Sequence, residues 1–171
     1  MNTETLYEGR FLRMAKRGRW EFVQRTKASA VVGIVATTAN DELLLVEQLR
    51  VPLNARVIEL PAGLVGDEAG HEAEDLIDAA KRELEEETGH TGGAWTLLSR
   101  GPSSAGLTDE VITLVGARGV VKTGEGGGVA GEDITVHAVP LSQVAAWLME
   151  REGQGMLVDG KVWAGVWFAG R

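Results

Sequence analysis

No cysteine occurs among the 171 residues, so no disulfide braces the fold; the absence fits a reducing compartment, and we expect a cytoplasmic protein. No apolar run approaches the roughly 20 residues of a membrane span, and residues 1–19 are polar and basic rather than signal-like. Positive charge is in short supply. Seventeen lysines and arginines face 25 acids, a net charge of −8 that argues against non-specific binding to nucleic acid or to an anionic membrane. An acidic chain still takes polyanions where a metal ion bridges the two. Histidine is scarce as well: His71, His90 and His137 are scattered, with nothing that makes any of them catalytic. The 44% apolar content suffices for one packed domain at this length and is short for two. We therefore expect a single domain over 1–171, with N-terminal strands in 1–27 and a core over 28–171.

What the chain has in excess is glutamate, in one place. Lys81-Arg82-Glu83-Leu84-Glu85-Glu86-Glu87-Thr88-Gly89 continues an apolar series, Ala73, Leu76, Ile77, Ala80 and Leu84, whose offsets are helical. At about 100° per residue, Glu83, Glu86 and Glu87 fall in one sector and can converge on a point. Glu87 borders the apolar stripe, whereas Asp78, Lys81, Arg82 and Glu85 fall on the far side. Three like charges beside an apolar face repel one another and lose solvation, and a divalent cation removes both penalties. Hard oxygen donors of this kind suit Mg²⁺, with Mn²⁺ as a substitute, rather than zinc. The plainer reading is an acidic helix with i,i+4 pairs such as Arg82 to Glu86.

The whole pattern favours the metal. Arg82-Glu83-Leu84-x-Glu86-Glu87-x-Gly89, with Glu74 eight residues before Arg82 and Glu59-Leu60-Pro61-Ala62-Gly63 ahead of it, resembles the signature box of Nudix hydrolases. There are two departures. The family's glycine precedes the first glutamate by six residues, a position held here by Glu68; Gly63 lies eleven before Glu74, so five extra residues sit within 66–72. The position after Gly89, usually aliphatic, is His90. The resemblance implies an α/β fold, an α/β/α sandwich with a mixed β-sheet and an N-terminal β-hairpin. It also implies metal ligation by Glu83, Glu86, Glu87 and the backbone carbonyl of Ala62, with Glu86 catalytic.

Other stretches extend the resemblance to residues 20–161. Residues 11–17 and 20–26 flank Gly18-Arg19 as a hairpin. Within it, Trp20-Glu21-Phe22-Val23-Gln24-Arg25 is similar to the N-terminal strand of the ADP-sugar pyrophosphatase branch. There an aromatic, here Trp20, stacks on the base, an arginine, here Arg25, approaches the diphosphate, and the strand often reaches across a homodimer. Residues 30–37 are a nearly continuous apolar run, as in a strand buried on both faces. The next strand, 43–50, ends in Gln48-x-Arg50, which resembles a phosphate contact of the same branch; a guanidinium makes two aligned, permanently charged bonds to phosphate oxygens. Pro61 ends a strand and Gly63 lets the backbone turn tightly, with Glu59 and Gly63 expected at the substrate.

After the glutamate helix, 95–100 and 111–117 read as strands around the loop 101–110. Its Ser104-x-Gly106-x-x-x-Glu110 ending resembles the loop placed beside the diphosphate, which puts Leu107 against substrate; in GDP-mannose-type enzymes the glutamate matching Glu110 is the base. Residues 121–131 hold five glycines and read as a mobile loop. The following Gly131-Glu132-Asp133-Ile134-Thr135-Val136 resembles the segment that brings a further glutamate, here Glu132, to the metals. A strand over 134–139, a helix beginning at Ser142 and a final helix over 159–169 complete the chain, with Trp147, Trp163 and Trp167 in packing or a dimer interface.

Together these resemblances imply Mg²⁺-dependent hydrolysis of the diphosphate bond of a nucleoside diphosphate sugar, of ADP-ribose or GDP-mannose type, by a homodimer. The products are a nucleoside monophosphate and a sugar phosphate, and Glu110 and Glu132 compete as base. Two alternatives stand beside this one. A house-cleaning hydrolase of nucleoside triphosphates does not need the Trp20 and Arg50 motifs, and a non-catalytic nucleotide-sugar-binding regulator does not need intact glutamates.

Overall fold

The computed structural model describes residues 1–27, 30–66, 74–129, 131 and 133–171. The chain opens with an antiparallel sheet of its own: β1 (Thr3–Glu8), β2 (Leu12–Arg17) and β3 (Trp20–Arg25). The β2–β3 hairpin is the expected one. Strand β1 escapes a reading by pattern because all six of its side chains are exposed, and only pairing with β2 makes it a strand.

The second sheet is built on a fork. Strands β4 (Ala30–Thr38) and β5 (Glu42–Arg50) form a hairpin through Asp41 (φ 56°), pair only at Thr37 and Leu43, and then diverge. Diverging strands leave backbone donors and acceptors unpaired, which is costly unless other strands supply partners. After a short 3₁₀ turn, β6 (Ala55–Glu59) pairs with β5 and β7 (Ala62–Val65) pairs with β4. The chain crosses the fork at Leu60-Pro61, where the Pro61 carbonyl accepts from the Ile34 N–H at 2.8 Å. The segment expected to carry Glu59, Ala62 and Gly63 to a site therefore spans the split in the sheet.

Helix α1 (Leu76–Thr88) follows, capped at its start by the Asp75 carboxylate, which accepts from the Ile77 N–H at 2.9 Å, and ended by Gly89 at φ 68°. The 66–72 expansion falls almost wholly in 67–73, outside the described residues, as does Ala73. In a long hairpin, β8 (His90–Pro102) exceeds the expected strand at both ends and β9 (Val111–Lys122) only at its C-terminal end; β9 lies parallel to β4. Strand β10 (Ile134–Pro140) covers the outer edge of β5. Helix α2 (Val144–Gly153) starts two residues after Ser142, beyond a turn closed by the Gln143 N–H on the Pro140 carbonyl. Short β11 (Leu157–Val158) pairs with β6, and α3 (Gly160–Ala169) is capped by Asp159.

Alternation sorts the buried side chains into two layers. From β4 and β5, Val32, Ile34, Ala36 and Leu44 pack with Ala79, Ala80 and Leu84 of α1. Val35, Leu43 and Leu45 face the other way, toward Val144, Leu148 and Val162 of α2 and α3. The expected α/β/α sandwich with a mixed sheet is the observed architecture. Glycine at 165 lets α3 approach Leu60: an added Cβ would lie 2.8 Å from Leu60 Cδ2. The helix thereby braces the crossing segment from behind. Among the described residues, no helix is long and apolar enough to cross a membrane.

Candidate active site

Glutamates 83, 86 and 87 occupy the last turn and a half of α1, and all three line a cavity of about 330 Å³. Across it stand Arg25 from β3, Arg50 from β5, and Ala62 and Gly63 from β7, so the fold gathers seven of the expected site residues around one space. Residue 63 has to be glycine for this arrangement. A Cβ there would collide with the carboxyl group of Glu83, which fills the space a side chain would take.

Glu87 is tethered by strand backbone, and Glu83 and Glu86 share one arginine. The Glu87 side chain is buried, and its carboxylate accepts from the Ala62 N–H at 3.0 Å. Arg82 is not on the solvent side of the helix, as its helical position suggested. Its guanidinium turns inward and donates to Glu83 Oε1 at 3.0 Å, to Glu86 Oε2 at 3.1 Å, and to both Glu74 oxygens at 3.3 Å. A long arginine stem reaches around the helix because three nearby carboxylates reward it, which a wheel diagram does not register. Glu74, from the half of the pattern whose spacing departs from the signature box, is thus tied to the glutamate cluster through Arg82. Among the described residues no three acidic or histidine side chains close around a single point. The donor set nevertheless fits a hard divalent cation in its chemistry: three carboxylates and a strand backbone line one polar cavity, and the Gly63 cradle holds Glu83 against it.

Both cavity arginines are oriented by acids. Arg50 Nε donates to Glu59 Oε2 at 2.7 Å, which places Glu59 behind the arginine rather than on the cavity wall. Arg25 Nε is paired with Glu110, so Glu110 also has a positioning contact in addition to any part in proton transfer. Arg25 and Val31 are shared with a second cavity, of about 290 Å³, that Arg100, Asp109 and Glu110 also line. Asp109 is shared in turn with a third, apolar cavity, where Trp20 and Phe22 face Gly106. Trp20 therefore does not reach the glutamates but stands two cavities away. Leu107 is exposed, and its contact is by backbone: its carbonyl accepts from the Val23 N–H at 2.9 Å and docks β3 on the loop. Glu132 lies outside the described residues.

A NUDIX domain matches residues 27–160 of the chain. The chain belongs to the NUDIX family. It is 30% identical over 148 residues to the methanol dehydrogenase activator of Bacillus methanolicus, covering 83% of this chain and 77% of that protein. It is 37% identical over 86 residues to the ADP-ribose pyrophosphatase of Bacillus subtilis, covering 50% of this chain and 44% of that one. With the ADP-ribose pyrophosphatase of Saccharomyces cerevisiae the identity is 38% over 112 residues, 58% of this chain and 45% of the other. The chain thus spans less than half the length of these two pyrophosphatases. A solved structure described as an ADP compounds hydrolase superposes with a TM-score of 0.67 at 20% identity, over 87% of this chain and 81% of the other, which establishes likeness of fold.

In this NUDIX domain two further features lie outside the pattern that sequence reading singled out. Glu47 of β5 is held by Arg56 of β6 and by His137 of β10, whose Nε2 lies 3.0 Å from Glu47 Oε2; Arg56 also reaches Asp133 at 2.7 Å. Burial alone would push the Glu47 carboxyl up, but the hydrogen bonds from Arg56 and His137 outweigh it and hold the group below the ordinary carboxylate range. Asp133 and Glu47 correspondingly raise the Arg56 guanidinium. The second feature is the glycine-rich stretch after β9. Its residues 124–128 lie against the C-terminal end of α1 and hydrogen-bond to it, where a mobile loop was expected. Glycine content signals conformational freedom, and only the folded chain reveals that the freedom is used to fit a helix end.

Proposed function

We propose that this NUDIX domain hydrolyses the diphosphate bond of a nucleoside diphosphate sugar, releasing a nucleoside monophosphate and a sugar phosphate. One observation carries the reading: the carboxylates of Glu83, Glu86 and Glu87 share a cavity with the guanidinium groups of Arg25 and Arg50. Acids alone would repel a diphosphate and arginines alone would bind it without activating it. The pair of features fits a metal-bound diphosphate. The relatives named ADP-ribose pyrophosphatases support an ADP-sugar over GDP-mannose.

Glu83, Glu86, Glu87 and the Ala62 carbonyl would hold Mg²⁺, or Mn²⁺ in its place. When bound, the ion would supply positive charge against the phosphate oxygens and would make water easier to deprotonate. Arg25 and Arg50 clamp the phosphates, held in orientation by Glu110 and Glu59. Glu110 or Glu132 takes the proton from the attacking water. Trp20 stacks on the base in the apolar cavity, the walls shared through Arg25 and Asp109 giving an extended substrate a continuous path. We take the protein to act in the cytoplasm as a homodimer through the N-terminal sheet, where Tyr7 and Phe11 are exposed.

A product panel tests the reading. With Mg²⁺, ADP-ribose should yield AMP and ribose 5-phosphate faster than GDP-mannose, dinucleoside polyphosphates or triphosphates are cleaved. Preferential release of pyrophosphate from triphosphates would instead establish the house-cleaning activity. The Bacillus methanolicus relative, named for activating a dehydrogenase, favours a second reading in which the chain acts on a partner enzyme. Tight nucleotide-sugar binding without turnover would support that one.

A further inference from the structure

The carboxylates proposed to bind the cation sit on the part of a helix least able to hold them still. The last four carbonyls of an α-helix have no partner within it, and the final turn frays unless something else donates to them. Glu86 and Glu87 belong to that turn, since α1 ends at Thr88. Metal ligands tolerate displacements of only about 0.5 Å, so the turn has to be fixed from outside.

The glycine-rich stretch after β9 does this with backbone alone. The Gly128 N–H donates to the Glu86 carbonyl at 2.9 Å and the Gly127 N–H to the Glu87 carbonyl at 2.8 Å. The Gly89 carbonyl accepts from the Thr123 N–H at 2.8 Å and the Gly124 N–H at 3.0 Å. His90 completes the set, its Nδ1 lying 2.8 Å from the Thr88 carbonyl. The approach is so close that only glycine fits: at Gly126 (φ 71°) an added Cβ would lie 2.6 Å from the Gly89 nitrogen and 2.8 Å from Thr88 Cα. Both are helix backbone and cannot yield without unwinding the turn. Val129, next in sequence, lines the cavity itself.

We infer that residues 124–128 are a positioning element for Glu86 and Glu87, set by Gly126, and that cation binding and the order of this turn reinforce each other. The inference rests on the metal-binding role of the two glutamates proposed above. Coupling of this kind is reciprocal: whatever the turn adds to ion affinity, the ion returns to the turn.

Mn²⁺ alone, without substrate, is the probe, with affinity measured by calorimetry on the full chain. Three alanine substitutions grade the perturbation. Gly153→Ala, at the end of α2 and away from this element, meets nothing within 4 Å at ordinary φ and should bind as the wild type does. Gly127→Ala strains a backbone at φ 100° but meets nothing closer than 3.9 Å and should bind a few times more weakly. Gly126→Ala adds the collision and should lose about tenfold or more, the range seen when supports behind metal ligands are removed. Amide hydrogen exchange at Gly127 and Gly128 should slow when Mn²⁺ is added. If Gly126→Ala, or Gly127→Ala should the former fail to fold, melts earlier yet keeps wild-type affinity, the turn is a structural cap only and the inference is overturned. If Glu86→Gln and Glu87→Gln also leave Mn²⁺ affinity unchanged, the metal site assigned above is wrong and the inference falls with it.

Discussion

The carboxylate of Glu87 accepts a hydrogen bond from the backbone N–H of Ala62 at 3.0 Å, across 25 residues of sequence. The contact ties the end of α1 to the first residue of β7, on the far side of the fork. It also removes one of the four glutamate-rich positions of the helix end from solvent, because Glu87 is only 6% exposed. Replacement by glutamine keeps an acceptor for Ala62 and should leave the fold intact while lowering Mg²⁺-dependent turnover by about a hundredfold or more. Glu87→Leu should in addition lower stability by about 1–3 kcal/mol, the range for a buried donor left without a partner. Denaturant titration beside steady-state kinetics separates the two effects.

Gly63 is the complement of Glu83. The expected outcome for Gly63→Ala is a displaced Glu83 carboxylate, a higher Mg²⁺ requirement and a fall in kcat, with little change in melting temperature because the colliding atoms belong to a side chain that can swing away. Turnover as a function of Mg²⁺ concentration measures it, and an unchanged Mg²⁺ dependence would argue against Glu83 as a ligand.

Arg82, 15% exposed, compensates Glu74, Glu83 and Glu86 at once. Removing one partner from a largely buried charge cluster typically costs about 3 kcal/mol, and Arg82→Ala should fall in that range. If Glu83 and Glu86 bind the ion as proposed, Mg²⁺ should restore part of the loss by supplying positive charge to two of the same carboxylates. Urea unfolding of the variant with and without Mg²⁺ checks this; a Mg²⁺ effect no larger than in the wild type would contradict it.

Trp20 stands in the apolar cavity, away from the glutamates. If it stacks on a base, Trp20→Ala should raise KM for ADP-ribose about tenfold, in line with about 1–3 kcal/mol per stacked base, and change kcat less. An effect on kcat alone would assign Trp20 to positioning of the loop 103–110 instead.

Glu47 governs a pH effect away from the cavity. Its pKa is lower in the folded chain than in the unfolded one, because Arg56 and His137 outweigh its burial. A group shifted down contributes stability above its unfolded value, here 4.5, and loses it as pH falls through the folded value. Glu47→Gln should therefore be less stable than the wild type near neutrality, with the difference shrinking steadily below pH 4.5. Thermal melts across the acid range measure it, and a constant difference would contradict the assignment.

The family and the layered α/β fold were legible in the residues themselves. Continuous apolar runs marked β4 and β5, helical spacing marked α1, and the glutamates at 83, 86 and 87 followed from its periodicity, because these signals are local and repeat within a few residues. Arg82 was misplaced by the same logic, since a helical wheel fixes where a side chain starts and not where a flexible stem ends. Strand β1 was silent because exposed residues carry no alternation to read.

Tertiary structure alone decided how the parts meet. Nothing local says that β4 and β5 part, that β6 and β7 fill the gap, or that Pro61 therefore carries Ala62 and Gly63 up to the helix end. The glycines at 124–128 show the limit most clearly: in sequence they announce only backbone freedom, and what they do depends on backbone N–H groups that every residue but proline carries. Sequence determined which groups this protein has for chemistry, because side-chain types are what sequence records. The fold decided which of them share a cavity, because that depends on distances between residues far apart in the chain.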